Sequence, residues 1–111
     1  MADAYKKLVS GINPTTGSGT TEWFEVPAGH QYQGYVRVLY NGASGGAATE
    51  YTIYGLSATG TAVSAVDIEA RNTLNYGECD TYNFDMGEGE VLAVGSDSTL
   101  VTFAFRGLDI G

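Results

Sequence analysis

"EVPAGHQYQGYVRVLYNG", residues 25–42, decides how this chain folds. A strand end runs into a Pro27-Ala28-Gly29 corner, a second strand follows, and Asn41-Gly42 supplies the next turn. Between 35 and 40, Val36, Val38 and Tyr40 fall on one side and Tyr35, Arg37 and Leu39 on the other, because successive side chains of a strand point to opposite faces. The same alternation returns in "STLVTFAFRG", residues 98–107, where Val101, Phe103 and Phe105 oppose Leu100, Thr102, Ala104 and Arg106 in a run of strong β formers.

Further strands are predicted at 5–10, 20–26, 49–56, 60–65, 66–71, 79–84 and 90–95. Between them lie "NPTTGSG", "NGASGGA", "SATG", "NYGE" and "DMGEG", whose Gly and Asn residues accept positive φ where bulkier residues strain. In "VDIEAR", 66–71, a helix started by Ser64 with Asp67 as its capping partner competes with a strand. The helix would scatter Asp67, Glu69 and Arg71 round a cylinder, so the strand is preferred. About eight to nine strands at short intervals predict an all-β, single-domain antiparallel β-sandwich, jelly-roll-like in character. Residues 1–12 read as an N-terminal arm or first strand and 13–111 as the sandwich.

At 111 residues the chain fits one domain. Sixteen Gly against two Pro, with 43% hydrophobic and 16% charged residues, suit short elements joined by tight turns. The formal charge of −8 repels phosphate backbones and anionic membranes, so neither nucleic acid nor membrane is an expected partner. Cys79 is the single cysteine, which excludes a disulfide within one chain. No run of apolar residues long enough for a secretory signal follows Lys6-Lys7, and a protein made in the cytoplasm is expected.

His30 is the single histidine and follows Ala28-Gly29 in the corner. A nucleophilic triad needs a base oriented by a carboxylate and set against Ser, Thr or Cys. No local motif marks one, and His30 reads as a turn residue bonded to backbone or facing water. The acidic run from Glu78 to Glu90 has the density of a calcium loop but not its spacing, since Tyr82 and Phe84 stand where an EF-hand counted from Asp80 needs oxygens. It reads as a charged sheet edge that discourages unwanted pairing. Paired carboxylates acting on a glycoside are not supported by any spacing. Carbohydrate binding through Trp23 and exposed tyrosines is the competing role. No enzyme activity, cofactor or metal is expected.

The pieces "TTEWFEVPAGHQYQGYVRVLYNGASGG", "YTIYGL", "GEGEVLAVG" and "STLVTFAFRG" together resemble a loose group of small tailed-bacteriophage virion proteins. Those proteins begin with a short arm, pass through a Val-Pro-Ala-Gly corner into a long strand, and end in a Val/Phe-rich strand. The segment from Ala62 to Asp85 carries no resemblance. The likeness implies a capsid decoration or cement protein without an enzymatic site, binding the major capsid protein and copies of itself, with a trimer favoured and the virion surface as its location. A carbohydrate-binding module of a tail or fibre is the alternative. Candidate partner-binding residues are Tyr5, Lys6, Lys7 and Leu8 of the arm, which carries the only clustered positive charge, together with the aromatics Trp23 and Tyr32.

Overall fold

A computed structural model describes residues 6–13, 20–41, 48–98 and 100–111. Seven strands form two antiparallel sheets: β1 (Thr20–Glu25), β2 (Tyr32–Tyr40), β3 (Thr49–Leu56), β4 (Ile68–Leu74), β5 (Cys79–Met86), β6 (Val91–Ser96) and β7 (Val101–Asp109). One sheet has the order β1-β6-β3-β4 and the other β5-β2-β7. The predicted all-β sandwich is the observed architecture. Apart from the β3–β4 hairpin, each strand is followed by one in the opposite layer, the wrapping habit of a jelly roll.

The two segments that decided the reading lie side by side, with Tyr32 opposite Asp109, Val36 opposite Phe105 and Tyr40 opposite Val101. Their alternation is observed as expected. Val36, Val38, Tyr40, Val101, Phe103 and Phe105 are buried between the layers, while Arg37 and Arg106 face solvent. From the other sheet Tyr51, Ile53, Ala70, Leu74, Leu92 and Val94 complete the interior. The rings form one connected series: Trp23 meets Phe24 edge-on at 5.1 Å, Phe24 meets Phe105 at 5.2 Å, and Phe103 meets Tyr51 edge-on at 6.1 Å. Such geometries add to the area that aromatic side chains remove from water.

The strand count is lower than the expected eight to nine, for two physical reasons. Residues 60–65 form no strand. They belong to a loop on the outer face of the four-stranded sheet, where Val63 packs with Leu56, Val91, Ala93 and Tyr54 in a second apolar cluster. The loop is tied down where Gly60 N–H donates to Glu22 Oε2 at 2.7 Å. Of residues 5–10, Tyr5 lies outside the described residues, and the rest do not run as a strand. Isolated bridges join Lys6 to Gly107 and, beyond the expected strand, Ile12 to Phe103.

At 64–71 the Ser64–Asp67 cap is present but closes only one short turn, and Glu69 and Arg71 lie in the preferred strand. Ala65–Asp67 make a single 3-10 turn, with Asp67 Oδ2 accepting from Ser64 N–H at 3.0 Å, and β4 begins at Ile68. Val66 stands in that turn and is 91% exposed.

Candidate interaction surface

Residues 6–13 close one flank of the sandwich. Ile12 and Phe103 exchange two backbone hydrogen bonds, of 2.9 and 2.8 Å, and Lys6 and Gly107 exchange two more, of 2.9 and 2.7 Å. Trp23 Nε1–H donates to the Ser10 carbonyl at 2.7 Å, and Asn13 Nδ2–H to that of Val101 at 2.9 Å. Leu8, Val9 and Ile12 pack on the core. This segment therefore serves first as a seal between β7 and β1.

Of the residues singled out for binding, Lys6 and Lys7 are exposed and Leu8 is half-buried. Trp23 is half-buried, held by Ser10 and by the rings of Phe24 and Phe103. Tyr32 is 8% exposed and packs on Phe24 and Phe105, so its ring belongs to the interior. Among the described residues, the aromatic side chain that stands well into solvent is Tyr76.

Composition did not reveal where the cations go. Arg37 and Arg106 project from the outer face of the three-stranded sheet, on neighbouring strands in which Arg37 pairs with Ala104 and Arg106 with Tyr35. Lys7, Val9 and Gly11 line a shallow depression with Ala104 and Arg106, which brings Lys7 to the same face. The ion pairs among the described residues join His30 to Asp109 and Arg71 to Glu50, and involve neither Arg37 nor Arg106. A protein with 13 acidic and 5 basic residues thus groups three of the five on one face. Only the period-2 alternation of β2 and β7 pointed to this, and it required knowing that the two strands are neighbours.

The sequence reads His30 as bonded to backbone or facing water, whereas its ring meets a carboxylate. Its Nδ1 lies 2.5 Å from Asp109 Oδ2, a residue 79 positions away at the end of β7. Hydrogen bonding from His30 is the largest influence on Asp109 and holds its carboxyl below the ordinary carboxylate range. The bonds of His30 among the described residues run to Asp109 and, through the backbone, to Pro27. The pair thus fastens the end of β7 to the Pro27-Ala28-Gly29 corner. Because the Asp109 pKa is depressed on folding, its contribution is present above the ordinary carboxylate range and is lost as pH falls through the lowered value. In a carboxyl NMR titration, His30→Ala is expected to return Asp109 to the ordinary range; an unchanged midpoint would show that His30 is not the cause.

The opposite flank is built differently. Tyr51 is fully buried, and its hydroxyl donates to Asp80 Oδ2 at 2.5 Å while also bonding the Tyr82 hydroxyl. Asn72 Nδ2–H donates to the same Asp80 oxygen at 3.0 Å. Burial, followed by these hydrogen bonds, pushes the Tyr51 phenol far above its ordinary value, so it stays a donor. This network pins β5 to β3 and β4 near the 75–78 turn. Farther along, the layers part, and a cleft of about 320 Å³ opens between β5 and Glu69. Compared with known proteins, the chain matches no family model, no curated protein and no solved structure.

Proposed function

We propose that this protein is a structural component of a tailed-phage virion, a capsid decoration or cement protein. It is made in the host cytoplasm and binds the major capsid protein lattice at the virion surface as a homo-oligomer, with a trimer favoured. The observation that carries the reading is the grouping of Lys7, Arg37 and Arg106 on one face of an otherwise acidic β-sandwich. Such a face is suited to an acidic patch of a coat subunit, and opposite potentials speed encounter and fix orientation. A lattice offers that patch many times over. Contacts that are modest for one copy then multiply when copies are joined. Apolar area buried at each contact adds roughly 25 cal/mol per Å², offset by the cost of association.

The test uses phage particles stripped of the protein. Adding the wild-type chain back is expected to restore resistance to heat, and attachment should weaken as salt rises. A variant carrying Lys7→Glu, Arg37→Glu and Arg106→Glu should be retained on particles at least about tenfold less well. If stripped and intact particles resist heat equally, or the reversed variant attaches as well as the wild type, the reading fails.

A further inference from the structure

The described sandwich has four lateral strand edges, and three of them are managed. The β7 edge is covered by residues 6–13. The β1 edge is broken by a bulge at Trp23, where the pairing with β6 shifts between Glu22 and Phe24, and it carries Glu22 and Glu25. The β4 edge has its own bulge opposite Ile53 and Tyr54. Bulges, charges and covering segments are the devices by which sheets avoid unplanned pairing.

β5 lacks these devices. Its pairing with β2 runs unshifted over eight positions, from Met86 opposite Tyr32 to Cys79 opposite Leu39, and it contains no Pro, Lys or Arg. The acidic run that reads in sequence as edge protection is partly tied down by hydrogen bonds, while its charge remains. Glu78 and Glu90 accept backbone N–H bonds in the flanking turns, at 2.6 and 2.7 Å, and Asp80 is engaged by Tyr51 and Asn72. Asp85 is exposed on the strand itself and accepts from Gln31 Nε2–H at 3.3 Å. Consecutive residues from Tyr82 to Met86 line the cleft, so it follows the open backbone edge and not one face of the strand.

The cleft also has a chemical preference. Phe84, Met86 and Leu92 form an apolar floor, and Glu69, Asp85 and Glu90 stand around it. Glu69 lies over the bare backbone of Gly55, where an added Cβ would come within 2.7 Å of its Oε1, and it makes no ion pair among the described residues. A second copy pairing β5 to β5 would bring these carboxylates against their own counterparts, a like-charge cost. A strand bearing Lys or Arg meets no such cost.

We infer that the β5 edge is a docking site for an extended, basic segment of a partner protein. The segment adds a fourth strand beside β5, sets an apolar side chain over Phe84 and Leu92, and places a Lys or Arg among Glu69, Asp85 and Glu90. Main-chain pairing supplies affinity and the alternate pockets supply selectivity, as in strand addition generally. This inference does not rest on Arg37 and Arg106, which project from the outer face of the same sheet.

The test uses a fluorescein-labelled, end-capped peptide of about ten residues, alternating valine and lysine, followed by polarisation and by amide hydrogen exchange. The wild-type protein is expected to bind it, with exchange slowed at residues 79–86. The variant Glu69→Gln/Asp85→Asn/Glu90→Gln should bind at least about tenfold more weakly. The control Glu22→Gln/Glu25→Gln/Glu50→Gln removes the same charge from the other sheet and should bind within about threefold of wild type. These amides keep the acceptor oxygens used in the turns, and exchange on the wild type alone also locates the peptide. Absence of binding, equal weakening in both variants, or protection falling on β1, β4 or β7 instead of β5 would overturn the proposal.

Discussion

Replacing Gly34 with alanine is expected to cost about 3 kcal/mol or more and to leave little folded protein. Gly34 sits in β2, the central strand of its sheet, opposite Gly107 of β7 and Phe84 of β5. A Cβ at this position would lie 2.1 Å from the Arg106 carbonyl oxygen and 2.5 Å from the Gly107 Cα. Both are backbone atoms of a paired neighbour, so no side-chain rotation relieves the clash. Relief requires β7 to move away from β2, which disturbs the ladder that also positions Phe103 and Phe105. Against the ~5–15 kcal/mol typical of whole domains, that loss is large. A urea transition measured for the wild type and for Gly34→Ala checks it. Midpoints that coincide would mean the two glycines are not in the close contact described.

Phe103→Ala is expected to lose about 3–5 kcal/mol, the range for deleting a buried aromatic ring. Phe103 is fully buried, touches Trp23 and Tyr51 with its ring, and holds Ile12 with its backbone. It therefore links the core to the sealing segment. The variant should show a lower denaturation midpoint with an unchanged slope, and its single tryptophan, Trp23, should emit at longer wavelength as water reaches the vacated space. A loss below about 1 kcal/mol would indicate that the site collapses around the missing ring.

Much of the interior was legible because period-2 alternation states which side chains share a face. Val36 and Val38 of β2, and Phe103 and Phe105 of β7, share a face in the sequence pattern alone, and in the structure that face is the buried one. The same signal failed at 60–65, where Gly60, Thr61 and Ala62 give a weak alternation and the decisive fact is the apolar patch of Leu56, Val91 and Ala93 beneath them. Burial of β6 on both faces explains why "VLAV" does not alternate. The candidate surfaces were harder to read. Arg37 and Arg106 are 69 positions apart, as the sequence numbering gives, and become neighbours only through the β2–β7 ladder. Residue type alone suits Tyr32 to an interface, whereas its place in β2 turns the ring inward against Phe105. The open edge at β5 was invisible for a further reason: it depends on which strand ends each sheet, and alternation carries no information about order.

The strand order bears on how the molecule comes into being during synthesis. Only β3 and β4 are both paired and consecutive; β1 must wait for β6, β2 for β5 and β7, and Ile12 for Phe103. At common elongation speeds, roughly five to twenty seconds separate the appearance of Ile12 from that of Phe103. Until β5 and β6 are made the nascent polypeptide has only the β3–β4 hairpin to form beside unmatched β segments, and residues 6–13 stay unmatched until β7 follows. Escape from aggregation in the cell thus rests on the last of the seven strands arriving promptly, since it both finishes a layer and gives the beginning of the chain somewhere to rest.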